Sequence, residues 1–167
     1  MATPPTMKQL TVKTLRRNIE TAKKLTADIP CDDCAKLPHA HAKHPAWVIP
    51  HLAMANKFAL GMMGIECDVP DAWTETTDGG SKPEADRARY PKKDEAMAAL
   101  EKSSEQLIAA FEGLSDDVLA ADLPHEGFRA AFPTIADGMH YIMAQHPEYH
   151  IGQMATWRAA TGYGSPS

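Results

Sequence analysis

The sequence has no surplus of positive charge: 17 Lys and Arg stand against 22 Asp and Glu, a formal charge of −5 with histidine neutral. A nucleic-acid interface neutralises phosphates with clustered basic residues, so this balance disfavours one. Long apolar runs are missing too. The most apolar stretch, 47–65, is broken by Pro50, His51, Asn56 and Lys57, short of the roughly 20 apolar residues a membrane-crossing helix needs. The opening MATPPTMKQL lacks the apolar centre of a secretory signal. Cysteine is scarce, and the odd set Cys31, Cys34 and Cys67 builds no disulfide framework for a chain of this size. A cytoplasmic protein in a reducing compartment is expected. At 167 residues the chain fits one domain, 1–167, with the Pro/Thr-rich residues 1–6 frayed.

Sustained alternation of apolar and polar residues is absent as well, so a sheet has little support. Helical periodicity takes its place. Leu15, Ile19, Ala22, Thr26 and Ile29 recur at spacings of three and four and predict a helix over 7–28, ended by Pro30. Trp47, His51, Met54, Phe58 and Met62 form the stripe of a second helix, from Pro45 to about Gly64. Met97, Leu100, Ser104, Leu107 and Phe111 mark a third that closes at Gly113, and Ser115 caps a short helix to about Ala121. Thr134, with Asp137 in the first turn, opens a fourth, on which Met139, Ile142, His146, His150, Gln153 and Trp157 share a face before Gly162. Segments 31–44, 66–91 and HEGFRAAFP read as irregular chain. The fold expected is an all-α four-helix bundle with a long crossover connection between helices 2 and 3.

Histidine carries the chemistry. His146 and His150 lie four apart, so both rings leave one side of a helix one turn apart and can chelate one ion. His51 sits in the apolar stripe of the second helix, where an imidazole needs a polar partner or a metal. Three imidazoles leave an open position, and they suit zinc, nickel, copper or iron; zinc leads on availability and nickel follows. The helical metalloprotease motif is excluded, because Pro147 stands where it needs a glutamate, and Glu148 points about 200° away from His146. The sequence therefore names no catalytic residue.

The segments HPAWVIPHLAMA (44–55) and HPEYHIGQMATWRAATG (146–162) resemble the DinB-like superfamily of metal-binding four-helix bundles. That pattern places a Trp-x-x-x-His on the second helix and two histidines spaced by three residues before a Gly-Gln pair. Trp47, His51, His146, His150, Gly152 and Gln153 match it. The resemblance implies a divalent metal on His51, His146 and His150, an all-helical fold, and either thiol transfer or isomerisation with a low-molecular-weight thiol, or hydrolysis. Homodimers are common among such bundles. Two residues depart from the pattern: Pro50 stands where a glycine is usual before the ligand, and Pro147, between the two C-terminal histidines, removes a helix N–H and is expected to kink the backbone.

Other residues have two readings each. Gln153 orients a ligand or packs as an interface amide. His44 lines the mouth of the site or is an exposed cap. Trp47, Met54, Phe58 and Trp157 wall a pocket or are plain core, the commoner case at helical spacing. Cys31 and Cys34 with His39, His41 and His44 hold a second zinc, or form a polar loop with free thiols, the leading reading; thioredoxin-like redox chemistry of the C-x-x-C pair is disfavoured, because it wants a helix start in a βαβ setting that the sequence lacks. His140 reads as a flanking or surface residue and His125 as solvated. The alternatives to a metal-dependent transferase or hydrolase are a non-catalytic metal-binding protein and a metal-free helical interaction module, with the small-molecule substrate unknown.

Overall fold

The computed structural model describes residues 4–166, and among them the chain is all-α. In order, the α-helices are α1 Met7–Thr26, α2 Pro45–Met62, α3 Thr74–Thr77, α4 Lys93–Gly113, α5 Asp116–Ala120, α6 Glu126–Arg129, α7 Ile135–His140 and α8 His146–Ala160. A π-helical turn, Tyr141–Gln145, joins α7 to α8, so the fourth long helix runs as three pieces. None of these helices is long and apolar enough to cross a membrane.

The long elements begin and end where local chemistry directs. Thr6 and Gln9 form a reciprocal capping box at α1, so residue 6 is engaged rather than frayed, while 1–3 lie outside the described residues. Thr134 and Asp137 form the same box at α7, and Ser115 caps α5. Gly64, at φ +71°, supplies the left-handed residue after α2 that lets Ile65 N–H reach back to the Leu60 carbonyl.

Packing builds a ring in which α1 contacts α4 and α8 while α2 contacts α4 and α8. The α1 stripe read from sequence is buried throughout, from Leu15 to Ile29. Between α2 and α4 lies a polar knot in which Asn56 Nδ2 donates to Ser103 Oγ at 3.1 Å and Ser104 Oγ at 2.9 Å. The α2 stripe departs from expectation: Trp47 is core, Met54 and Met62 are half-buried, and Phe58 is 42% exposed. Leu52, Ala53, Ala59 and Leu60 on its other faces are buried, so α2 is central and its predicted stripe runs out into a cleft.

The three segments expected to be irregular contain short turns. Cys31–Ala35 is a 3-10 helix; Asp71–Trp73, α3 and Arg87–Arg89 lie inside the 66–91 crossover; and α6 interrupts HEGFRAAFP. Elements of three to five residues carry too few positions for a period to show, which is why the sequence left them as loop. Helix α1 stops at Thr26, two residues short of the expected end, and α2 at Met62.

The π turn has a local cause. Pro147 has no N–H to give and its ring crowds the carbonyl one turn back, and the wider turn directly before it relieves that clash. Helix α1 braces the irregular turn: Asn18 Nδ2 donates to the Ala144 carbonyl at 3.1 Å, and Thr11 Oγ1 pairs with His140 Nδ1 at 2.9 Å. His140 is thus a half-buried bracing residue rather than a surface one. Pro50, by contrast, lies within α2 and the helix continues through it.

Candidate metal centre

Helices α2 and α8 bring three imidazoles to one point. His51 Nε2 and His150 Nε2 each lie 3.1 Å from His146 Nε2, and one nitrogen from each ring falls within 4.8 Å of the others. His150 is buried; His51 and His146 are partly so. Among the described residues this is the one group of three or more His, Cys, Asp or Glu so assembled.

Each far-side contact decides where a ring proton sits. His51 Nδ1 lies 2.7 Å from the Thr77 carbonyl oxygen, which can only accept, so Nδ1 carries the hydrogen and Nε2 presents a bare lone pair. His150 Nδ1 lies 2.8 Å from Gln153 Oε1 and is fixed in the same sense. His146 Nδ1 is buried with no partner, so that ring alone has no group setting its tautomer. One proton on His146 Nε2 could satisfy one bare neighbour and not both. A cation between the three nitrogens satisfies all of them, and the donor set fits a borderline divalent transition ion.

Electrostatics favour the ligating form. Burial pushes His150 down to about 3, with His51 and His146 adding to the effect. Burial also takes His146 to about 4, with a further contribution from His51. His51 is lowered by burial despite its bond to Thr77. All three rings are neutral at pH 7, as metal ligation requires.

The remaining predicted residues fall around this point. Trp47 is buried and stacks on His51, ring centroids 4.4 Å apart at 21°, while its Nε1 donates to Ser81 Oγ at 2.8 Å. His44 does not reach the cluster. It is wholly buried and caps α2, its Nδ1 accepting from Trp47 N–H while Nε2 donates to the Glu84 carbonyl at 3.0 Å. Glu148 pairs with Arg17 at 2.7 Å on the surface, turned from the cluster as its helical angle required. Cys31, Cys34, His39, His41 and His44 do not assemble into a second site: among the described residues no three of them bring their ligand atoms together, and His44 is committed to its cap and the crossover. Trp157 is core, its Nε1 donating to the Lys36 carbonyl at 2.6 Å.

His51 and His146 open onto a cleft of about 790 Å³ with mostly apolar walls, among them Met54, Phe58, Phe128, Phe132 and Tyr141. Two carboxylates reach it. Asp71 is paired with Lys57 at 2.6 Å, and Asp78 follows Thr77, whose carbonyl holds His51. The sequence did not single out Thr77, Asp78, Phe128, Phe132 or Tyr141. A backbone carbonyl leaves no mark on residue type, Phe128 and Phe132 come from a segment without period, and Tyr141, five residues before His146, falls about 140° from it on a regular helix, so its position carried no signal. His125, read as solvated, is exposed but lies tilted against Phe128 with centroids 4.6 Å apart.

Two solved structures share the architecture. A conserved protein from Enterococcus faecalis superposes with a TM-score of 0.75 at 18% identity, over 94% of this chain and 98% of that one. A protein from Streptococcus pneumoniae gives 0.67 at 14%, over 96% and 94% respectively. At such identities the likeness speaks to fold alone. No curated protein matches the chain significantly. The family model of the DinB superfamily matches residues 14–154, from α1 through all three imidazoles, and the chain belongs to that superfamily.

Proposed function

We propose that the chain binds one divalent transition metal, zinc or nickel, through the Nε2 atoms of His51, His146 and His150. The metal serves a transferase or hydrolase that activates a low-molecular-weight thiol or a water. The observation that carries this reading is the pair of acceptors behind the rings. Thr77 O and Gln153 Oε1 fix two bare lone pairs at hydrogen-bond distance from a third nitrogen, an arrangement that calls for a shared cation.

Held by His51, His146 and His150, a divalent ion would supply the Lewis acidity that brings the pKa of a thiol or a water toward neutral. The chain's own residues do the rest. Trp47 and Thr77 hold the His51 ring in plane and tautomer. The apolar walls seat the organic portion of a small-molecule substrate and keep bulk water from the reacting atoms. Asp78, which opens onto the same cleft, is the carboxylate placed to take up or return a proton. A closed structural ion that merely clamped α2 to α8 would need no such opening, and the cleft favours the catalytic reading over that one.

Elemental analysis of the untagged protein beside His51→Ala and His150→Ala tests the reading. About one equivalent of zinc or nickel, lost in both variants, is expected for a single three-imidazole site. Absence of metal after reconstitution with either ion would overturn it. Turnover of electrophiles with added thiols by the loaded protein, and its loss in Asp78→Asn, then separates the enzyme from a non-catalytic metal carrier.

A further inference from the structure

The pair Cys31 and Cys34 stands apart from the triad and is not used by it. Both lie on the 3-10 helix Cys31–Ala35. Three residues per turn at about 2.0 Å rise put positions i and i+3 on one side with Cα atoms about 6 Å apart. That Cα separation lies inside the range a disulfide spans, and a tightening of this short turn brings the two β-carbons together.

The two sulfurs have opposite surroundings. Cys31 is half-exposed, and Arg87 Nη2 donates to its Sγ at 2.9 Å. The backbone N–H of Lys93, first residue of α4, donates to the same sulfur at 3.5 Å. A guanidinium and a helix N-terminal N–H both stabilise a thiolate. Burial alone would push the Cys31 thiol up, but the Lys93 N–H and Arg87 outweigh it and hold it below its ordinary value. Cys34 is 1% exposed, gives its S–H to the Pro30 carbonyl at 3.5 Å, and burial pushes it up to about 11. Arg87 also has a structural task, since it donates to the carbonyls of Cys31, Tyr90 and Pro91. Those three bonds need no sulfur at position 31, so they do not account for the thiol there.

We propose that Cys31 and Cys34 form a redox-active dithiol, with Cys31 as nucleophile and Cys34 as resolving thiol, taking small-molecule disulfides as oxidant. The Cys31 thiolate attacks one sulfur of the disulfide; the Cys31–S bond forms, the S–S bond breaks, and one thiolate leaves. Cys34 then gives up its proton, its sulfur bonds to Cys31 Sγ, and the second small thiol departs carrying that proton. The two cysteines are oxidised by two electrons and the disulfide is reduced to two thiols.

The test uses the full, reduced protein, exposed to oxidised glutathione, trapped by alkylation and mapped by peptide mass spectrometry. The expected product is a Cys31–Cys34 disulfide with Cys67 alkylated. Cys34→Ser is expected to stop at a glutathione adduct on Cys31, and Cys31→Ser to leave Cys34 unmodified. In stopped-flow with an aromatic disulfide reagent, Cys31 should react at least about tenfold faster than Cys67, and Arg87→Lys should narrow that gap. Thermal melts check that each variant is folded. A Cys67 that reacts first, a Cys34→Ser protein without the adduct, or a cross-link involving Cys67 would overturn the proposal.

Discussion

Replacing Gln153 by leucine tests whether its acceptor holds His150 ready for the proposed metal. Gln153 Oε1 is the acceptor for His150 Nδ1 at 2.8 Å, and leucine keeps the side chain's bulk while removing that acceptor. A buried donor left unmet costs about 1–3 kcal/mol. That cost falls unequally on the two states. The metal-bound ring must keep its hydrogen on Nδ1, whereas the metal-free ring can move it to Nε2 and give it to His146, 3.1 Å away. The loss therefore appears as weakened metal binding, by roughly 10–100-fold or about 1.4–2.8 kcal/mol, the usual effect of removing a ligand's supporting acceptor. Competition for zinc against a chromophoric chelator at pH 7.5 reads this directly. Gln153→Glu, which supplies a charged acceptor, should bind at least as tightly as the parent. A leucine variant that folds normally and binds zinc within about twofold of the parent would refute the reasoning and leave Gln153 as a packing amide.

Acid should destabilise the metal-free protein partly through His44. Burial lowers this ring from 6.5 to about 4, so the unfolded chain binds the extra proton between those values. The contribution is complete above pH 6.5 and declines as pH falls toward 4, by about 3 kcal/mol in all. His44→Asn keeps a cap acceptor without a titrating ring; its urea midpoint should fall less between pH 7.5 and pH 5 than the parent's, and equal declines would count against the assignment. Asn56→Leu leaves the Ser103 and Ser104 hydroxyls without their donor, and should cost about 1–3 kcal/mol in urea unfolding; an unchanged or higher midpoint would show the knot to be dispensable. Trp47→Phe keeps an aromatic face over His51 but drops the bond to Ser81. It should lose about 1 kcal/mol of stability with zinc affinity changed by no more than about threefold, and a loss beyond about tenfold would mean the crossover bond rather than the ring positions His51.

The four long helices were legible because each spans enough turns for its apolar spacing to repeat, and because capping boxes and glycines marked their ends. The triad was legible for a related reason: His146 and His150 are one turn apart, and His51 interrupts an apolar stripe. Around these, legibility fell away. His44 read either as lining the mouth of the site or as an exposed cap; it is the α2 cap, but a buried one whose far nitrogen is taken by the crossover. Phe58 followed the α2 period perfectly and still stands at a cleft, since period tells which residues share a face and not what that face meets. The π turn was invisible as such, though its cause, Pro147, was in plain view.

The crossover 66–91 is the least periodic segment and yet the one that completes the site. His44, Trp47 and His51 fall at spacings of three and four, so they line one face of α2, and each reaches into the crossover. Their polar atoms meet the Glu84 carbonyl at 3.0 Å, Ser81 Oγ at 2.8 Å and the Thr77 carbonyl at 2.7 Å, in reverse chain order. Irregular chain and the last turn of a short helix such as α3, which ends at Thr77, both leave carbonyls and hydroxyls unspent, and a helix face bearing two imidazoles and an indole has N–H groups that need acceptors. The match fixes the crossover against α2 and, by the last of these bonds, settles which nitrogen of His51 is bare. A helix continuing past Thr77 would have spent that carbonyl on itself and left the His51 tautomer undetermined. The length of the connection is thus part of how the ligand is made, and the same segment carries Asp78 to the edge of the cleft.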